Sequence, residues 1–358
     1  MRWNFTMSRN NKSVISIVVI MILVVALSVV AGCGNKGASG NGQNQVSASE
    51  GQENAKIEKI KLNLADISSN PVFRVAASKG IFAKHGIEAE LVTFATPAEG
   101  INALFIKQVD IAWGADFPIL NAVSKGDYSI IASTGDATDK EAADWKLFVR
   151  DDIQSAEDLK GKKLSFLRGT FQPYLWDEYL GEHGVEITDS ELIGQGALDE
   201  AYVAIKKGEI DAVWTFGAVM KEKFSAIEGV HQLTDMSQTK VRLGSDIVVP
   251  NDLIKNHPDT VTQFLQAIEE STAYIKENHN DVADLLYKEV KQPKEATLKD
   301  LEVNNWEIGF TQRSIESLKS QKLYMVENGI IQQDFELTEK INLDFLRKVV
   351  PDRITYQP

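Results

Sequence analysis

The 358-residue chain has a single cysteine, Cys33, so it can form no internal disulfide and no zinc site of several thiolates. It has five histidines, His85, His183, His231, His257 and His279. No two lie within a helical turn, and none has a carboxylate or cysteine at ligand spacing. No Gly-x-Ser-x-Gly elbow, His-Glu-x-x-His pair or Gly-x4-Gly-Lys-[Ser/Thr] phosphate loop occurs. Basic charge is scarce, with 38 Lys+Arg against 51 Asp+Glu and a formal net of −13, which excludes a nucleic-acid backbone binder. With 43% apolar and 8% aromatic residues the composition is globular, and the length gives room for two domains or one large one. The inventory supplies neither catalytic residues, a metal site nor a cofactor site, and the expectation is a protein that is not an enzyme.

Long apolar runs are confined to the N-terminus. Residues 1–13 carry Arg2, Arg9 and Lys12 and no acid, and residues 14–31 are eighteen uncharged positions. A basic stretch, an apolar stretch and small residues before a cut form a secretory signal. Val30-Ala31-Gly32-Cys33 resembles a bacterial lipobox, in which Cys33 takes a lipid and becomes the first mature residue. Residues 1–32 are read as the signal peptide, whether translation starts at Met1 or Met7. Their removal takes three basic residues and leaves 35 against 51, a net of −16. Residues 33–56 read as a tether rich in Gly, Ser, Asn and Gln, with a root-mean-square reach of about 25 Å. The expected location is extracytoplasmic, anchored to the cell membrane through lipid on Cys33.

From residue 57 strands and helices alternate. Ile60, Leu62 and Leu64 mark a strand, and Asn70-Pro71 caps and opens a helix. Further strands are expected at 88–94, 109–113 and 129–134, with helices at 97–107 and 117–125. This βα series predicts an α/β fold with a mostly parallel sheet covered on both faces. The series recurs. His85-Gly86-Ile87-Glu88 is echoed by His183-Gly184-Val185-Glu186, and each copy leads to a tryptophan, Trp113 and Trp214, 28 and 31 residues on. Two similar lobes are expected: residues 57–146 with 246–358, and residues 147–245. Two chain crossings between them would form a hinge. The strand at 247–249 returns the chain to the first lobe, and a helix from Pro258 to Asn278 packs on it.

In open α/β sheets ligands bind beyond the carboxyl ends of the strands. The residues there are Ser69 and Asn70, then Trp113, Gly114 and Asp116, then Thr134, then Gly169, Thr170 and Phe171, then Trp214 and Thr215. Glycine and hydroxyl residues at helix starts expose N–H groups suited to an anion, and the aromatic rings suit an organic tail. Trp113 and Trp214 fit either ligand walls or core. Asp116 fits either a helix cap or a partner for a cationic part of a ligand, and Arg168 either a clamp or a surface charge.

Four segments carry a family resemblance: 77–87 (ASKGIFAKHGI), 109–116 (VDIAWGAD), 157–163 (EDLKGKK) and 205–214 (IKKGEIDAVW). In order and spacing the chain resembles the substrate-binding lipoproteins of ABC importers for nitrate, sulfonate and taurine, with relatives that bind thiamine-precursor pyrimidines. The family's Gly-Asp-x-Pro turn stands here as Ala115-Asp116-Phe117-Pro118, and its Gly-Ser/Thr helix start as Gly169-Thr170. The resemblance implies a two-lobed type II periplasmic-binding-protein-like fold with two hinge crossings. It also implies a monomer that captures a small-molecule ligand by lobe closure and delivers it to an ABC permease and its ATPase. The implied ligand is a small organic anion: an aliphatic sulfonate, a taurine-like compound or nitrate. A heteroaromatic thiamine precursor, or an enzyme on the same scaffold, are the alternatives.

Overall fold

A computed structural model describes residues 59–357 apart from Ser68, Ser69 and Asp136. The signal and tether readings, Cys33 and Ser69 lie outside the described residues. Strand β1 (Ile60–Ile67) alternates apolar and polar side chains and pairs in parallel with β2 (Ile87–Phe94). Between them run α1 (Pro71–Ser78) and the single turn α2 (Ile81–Lys84). Proline at the first turn and the Asn70 side chain accepting from the Val72 N–H at 2.9 Å fix where α1 begins. Then follow α3 (Pro97–Phe105), β3 (Ala112–Ala115), α4 (Asp116–Lys125) and β4 (Tyr128–Thr134). Beyond α5 (Asp139–Ala142) the chain enters a second sheet.

That sheet comprises β5 (Lys146–Arg150), β6 (Lys163–Leu167), β7 (Glu191–Gln195), β8 (Ala212–Thr215) and β9 (Val230–Asp235), in the order β7-β6-β8-β5-β9. Its helices are α6 (Gln172–Glu182), α7 (Leu198–Lys207) and α8 (Ala218–Ser225). The chain then returns. Strand β10 (Ser245–Pro250) inserts between β3 and β4, antiparallel to both. Helices α9 (Asn251–Asn256), α10 (Pro258–Glu277), α11 (His279–Val290) and α12 (Lys294–Val303) follow. The short β11 (Ile308–Gly309) edges the first sheet beside β4, and α13 (Gln312–Glu327) packs on α4.

The pairs β1–β2, β6–β7 and β6–β8 are parallel, and the two-stranded β1–β2 sheet joins the first sheet through a parallel bridge at Leu64–Ile111. Every pair of the order β11-β4-β10-β3 is antiparallel, which corrects the expectation of a mostly parallel sheet. Strands β5 and β10 are each the first strand after a crossing, and each runs against its neighbours. A strand entered from the carboxyl edge of the others has to run back down the sheet. Both crossings therefore lie at the same edge, where the helix starts of the two sheets converge. In the first sheet, Phe73 of α1, Phe82 of α2 and Phe264 of α10 pack with ring centroids 5.8–6.4 Å apart. The Ser271 hydroxyl of α10 donates to the Val72 carbonyl at 2.7 Å. One large core runs through both sheets, with a smaller cluster around Phe148, Ile205 and Phe224 in the second, and the described residues form a single compact unit.

Candidate functional site

At the carboxyl edge the sheets touch. Gly169 has φ +74°, and a Cβ on it would lie 3.0 Å from the Cβ of Ala98, at the start of α3. Tyr174 of α6 packs against Tyr324 of α13 with centroids 5.1 Å apart. Asp300 of α12 accepts the Ala218 N–H of α8 at 2.8 Å. The strand ends therefore face one another across a closed cleft. Of two depressions, of about 480 and 650 Å³, one runs along α7 from Gln195 at the end of β7 and from Asp199 and Glu200, and the other lies at the base of the first sheet.

On the first-sheet side, Trp113 is 8% exposed and donates its indole N–H to the Thr134 hydroxyl at 2.8 Å. Its ring packs on Trp306, 6.1 Å away. Gly114 serves close packing, since a Cβ there would lie 3.0 Å from the Pro97 Cβ. The Asn70 amide oxygen is engaged in its cap, and the residue is buried.

Asp116 is wholly buried and accepts from the Gly244 N–H at 3.0 Å, from the Ser317 hydroxyl and from the Gln321 amide at 2.7 Å. Among the described residues no cation lies against it, and its carboxyl is held above the ordinary value, chiefly by burial. It braces the return crossing, which corrects the expectation that Asp116 faces a ligand. A carboxylate spanning to residues about 200 positions away leaves no local sequence signal.

On the second-sheet side, Phe171 is nearly buried and meets Trp145 edge-on at 4.9 Å, while Phe216 stacks on the same Trp145 at 4.2 Å. The Thr170 hydroxyl donates to the Leu167 carbonyl at 2.7 Å. Trp214 does not join these rings. It is fully buried, 5.8 Å from Trp176 and 5.5 Å from Tyr179. Of the two roles open to Trp214, ligand wall or core, it takes the core: the sheet is covered on both faces, and Trp214 packs on Trp176 and Tyr179 of α6. Thr215 is likewise fully buried, and its hydroxyl has no protein partner. The half-buried rings at the cleft are Trp145, Phe216 and Trp306. Sequence reasoning passed over them. Phe216 stood one residue past the noted strand end, and Trp145 sits in a crossing, where periodicity is silent.

Electrostatics separates the helix starts. Three helices begin at strand ends of the second sheet. The start of α8 is taken by carboxylates, with Gly217 N–H on Asp144 at 3.0 Å and Ala218 N–H on Asp300. Lys221 pairs with Asp144. Asp300 is held above the ordinary carboxyl value, mainly by burial, with the Asp144 charge adding to it. The start of α7 carries Asp199 and Glu200, and Glu200 accepts the Gly196 N–H at 2.6 Å. Helix α6, like α8, has no acid in its first turn and no side-chain hydrogen bond from its N-cap residue, here Phe171, but no distant carboxylate is bound at its start as Asp144 and Asp300 are at α8. The Gln172 N–H meets the Thr170 hydroxyl at 3.4 Å. Arg168 stands just before Gly169, with its guanidinium on the Gly194 carbonyl.

A two-lobed α/β chain with this edge geometry is a periplasmic-binding-protein fold. The family model described as "NMT1/THI5 like" matches residues 71–281, more than half of the chain, and the chain belongs to that family. It is 24% identical over 277 residues to the "Putative aliphatic sulfonates-binding protein" of Bacillus subtilis (strain 168), covering 76% of this chain and 78% of the relative. Its fold matches the alkanesulfonate-binding protein SsuA from Xanthomonas axonopodis pv. citri, solved with MOPS, at TM-score 0.68 and 14% identity over 80% of this chain and 99% of that one. The desulfurization enzyme DszB shares the fold at TM-score 0.62 and 14% identity, over 82% and 99% of the two chains. Such low identities speak to the fold alone.

Proposed function

We propose that the protein is the solute receptor of an ABC import system, extracytoplasmic and held to the membrane by lipid on Cys33. Residues 57–146 with 246–358 form one lobe and 147–245 the other. The protein works as a monomer that closes on its solute and presents the closed form to a permease coupled to an ATPase. Closure and affinity are one equilibrium, because a ligand touching both lobes stabilises only the closed state. It captures and does not transform.

The ligand is a small organic anion, an aliphatic sulfonate in the first instance. The observation that carries this reading is the start of α6. Its positive end, at Gly169 and Phe171, has no carboxylate bound to it, whereas Glu200 lies at the start of α7 and Asp144 with Asp300 at that of α8. The Thr170 N–H itself goes to the Leu167 carbonyl. The relatives named for sulfonates support it. A flat heteroaromatic solute is the second reading, favoured by the Trp145–Phe216 stack beside Asp144. A thermal-shift screen over alkanesulfonates, taurine, nitrate and pyrimidines tests both. The midpoint rises with RT ln(1 + [L]/Kd) for a true ligand. A rise with sulfonates supports the first reading, a rise with pyrimidines alone supports the second, and chemical conversion of the solute would overturn both.

A further inference from the structure

Where the chain returns from the second sheet to the first, two carboxyl groups are buried side by side. Asp116 opens α4, and Asp246 stands in β10 opposite Gly114 and Ser133. Asp116 is 0% and Asp246 1% exposed, and because Ser245 pairs with Ala115 and the Asp116 N–H meets the Gly244 carbonyl, the two side chains are diagonal neighbours on one face of the pairing. The surrounding donors are divided between them. Asp116 Oδ2 takes the Gly244 N–H, the Ser317 hydroxyl and the Gln321 amide, and Asp246 Oδ1 takes the Ser133 hydroxyl at 2.6 Å. The remaining oxygens, Asp116 Oδ1 and Asp246 Oδ2, are buried with no hydrogen-bond partner. Two neighbouring buried carboxyls, each with an orphaned oxygen and no cation against them, are relieved of their mutual repulsion if one of them carries a proton.

We propose that Asp116 and Asp246 hold one proton between them, and that this proton fastens the return crossing to the first sheet. The fastening runs through Gly244: its N–H is bound by Asp116 and its carbonyl by the Asp116 N–H at 3.3 Å. A Cβ at 244 would collide with the Asp116 carboxyl. Loss of the proton sets two charges against each other in a site with no cation to separate them. The groups that face the pair do not supply one. Ser317 and Gln321 of α13 and Ser133 of β4 are neutral. Tyr174 of α6, within reach of the Asp116 charge, is pushed by burial up to about 12. Arg242 turns to Asp139 and to backbone carbonyls. Burial raises both carboxyls, Asp246 the further because the charge of Asp116 adds to it.

The direction with pH follows. The folded chain keeps a proton that the unfolded chain releases near the ordinary value of 3.8. Stability from this pair is full below about pH 4 and is lost as pH rises toward the folded value. Chemical unfolding of the full protein between pH 4 and 8 reads it against Asp246→Asn, whose amide donates to Asp116 without titrating. The unfolding constant of the native protein is expected to rise relative to the variant by up to tenfold per pH unit. Ser133→Ala removes the hydroxyl that favours ionised Asp246 and moves the window to higher pH. Should Asp246→Asn not fold, carbon-13-labelled aspartate in the native protein shows the infrared band of a buried protonated carboxyl at pH 7. A pH-independent ratio, or the absence of that band, overturns the proposal. So does stabilisation by Na⁺ or Ca²⁺ that Asp246→Asn abolishes, because the pair would then hold a metal ion.

Discussion

Replacing Trp214 by alanine separates a core role from a ligand role. The indole is fully buried, wedged between Trp176 and Tyr179 with centroids 5.8 and 5.5 Å away. Its backbone carbonyl accepts from the Gln172 amide at 3.4 Å, and Gln172 also ties the Leu167 N–H at 2.7 Å. Truncation removes the transfer energy of a large aromatic ring and leaves a cavity that rings on two sides cannot fill, a loss of about 3–5 kcal/mol. For a folded unit of about 300 residues the unfolding entropy is roughly 0.6 kcal/mol/K, so the midpoint falls by about 5–8 °C. The assay is thermal unfolding followed by near-ultraviolet circular dichroism, with solute affinity measured well below the transition. Affinity is expected to change less than threefold. A midpoint shift below about 2 °C together with a tenfold loss of affinity would refute the placement of Trp214 and return it to the cleft.

Trp145→Ala is the converse: its ring is half-buried and shared by Phe171 and Phe216, so solute affinity falls about tenfold while stability drops by about 1 kcal/mol, as titration calorimetry and urea unfolding report. Gly169→Val strains a φ of +74° and drives a side chain into Ala98 across the cleft, so affinity should fall at least tenfold; unchanged affinity would mean the lobes do not close there. Cys33→Ser leaves solute binding intact and moves the protein from the membrane fraction to the soluble one, read by fractionation of expressing cells.

The parts legible in the sequence were those set by neighbouring residues. Asn70-Pro71 announced the start of α1, and the alternation of Ile60, Leu62 and Leu64 announced β1. The return strand was visible as the apolar run at 247–249, though its antiparallel sense was not, because direction depends on where the crossing enters. The site was less legible. Strand parity puts Ala212 and Trp214 on one face of β8 and Val213 and Thr215 on the other. Both faces are covered, so parity could not say which way Trp214 would point. Asp116 found its partners at Gly244, Ser317 and Gln321, and Asp300 found Ala218, over separations that no local pattern encodes. The helix starts were readable as positions, but which of them keeps its positive end free was decided by carboxylates brought in by folding.

The binding mode is tested most directly by small-angle X-ray scattering of the mature protein with and without the sulfonate that gives the largest thermal shift. Capture between two lobes requires the radius of gyration to fall on saturation, and requires Gly169→Val to abolish that fall. Saturable binding with an unchanged radius in the native protein would mean that the solute sits elsewhere and that the lobes do not clamp it.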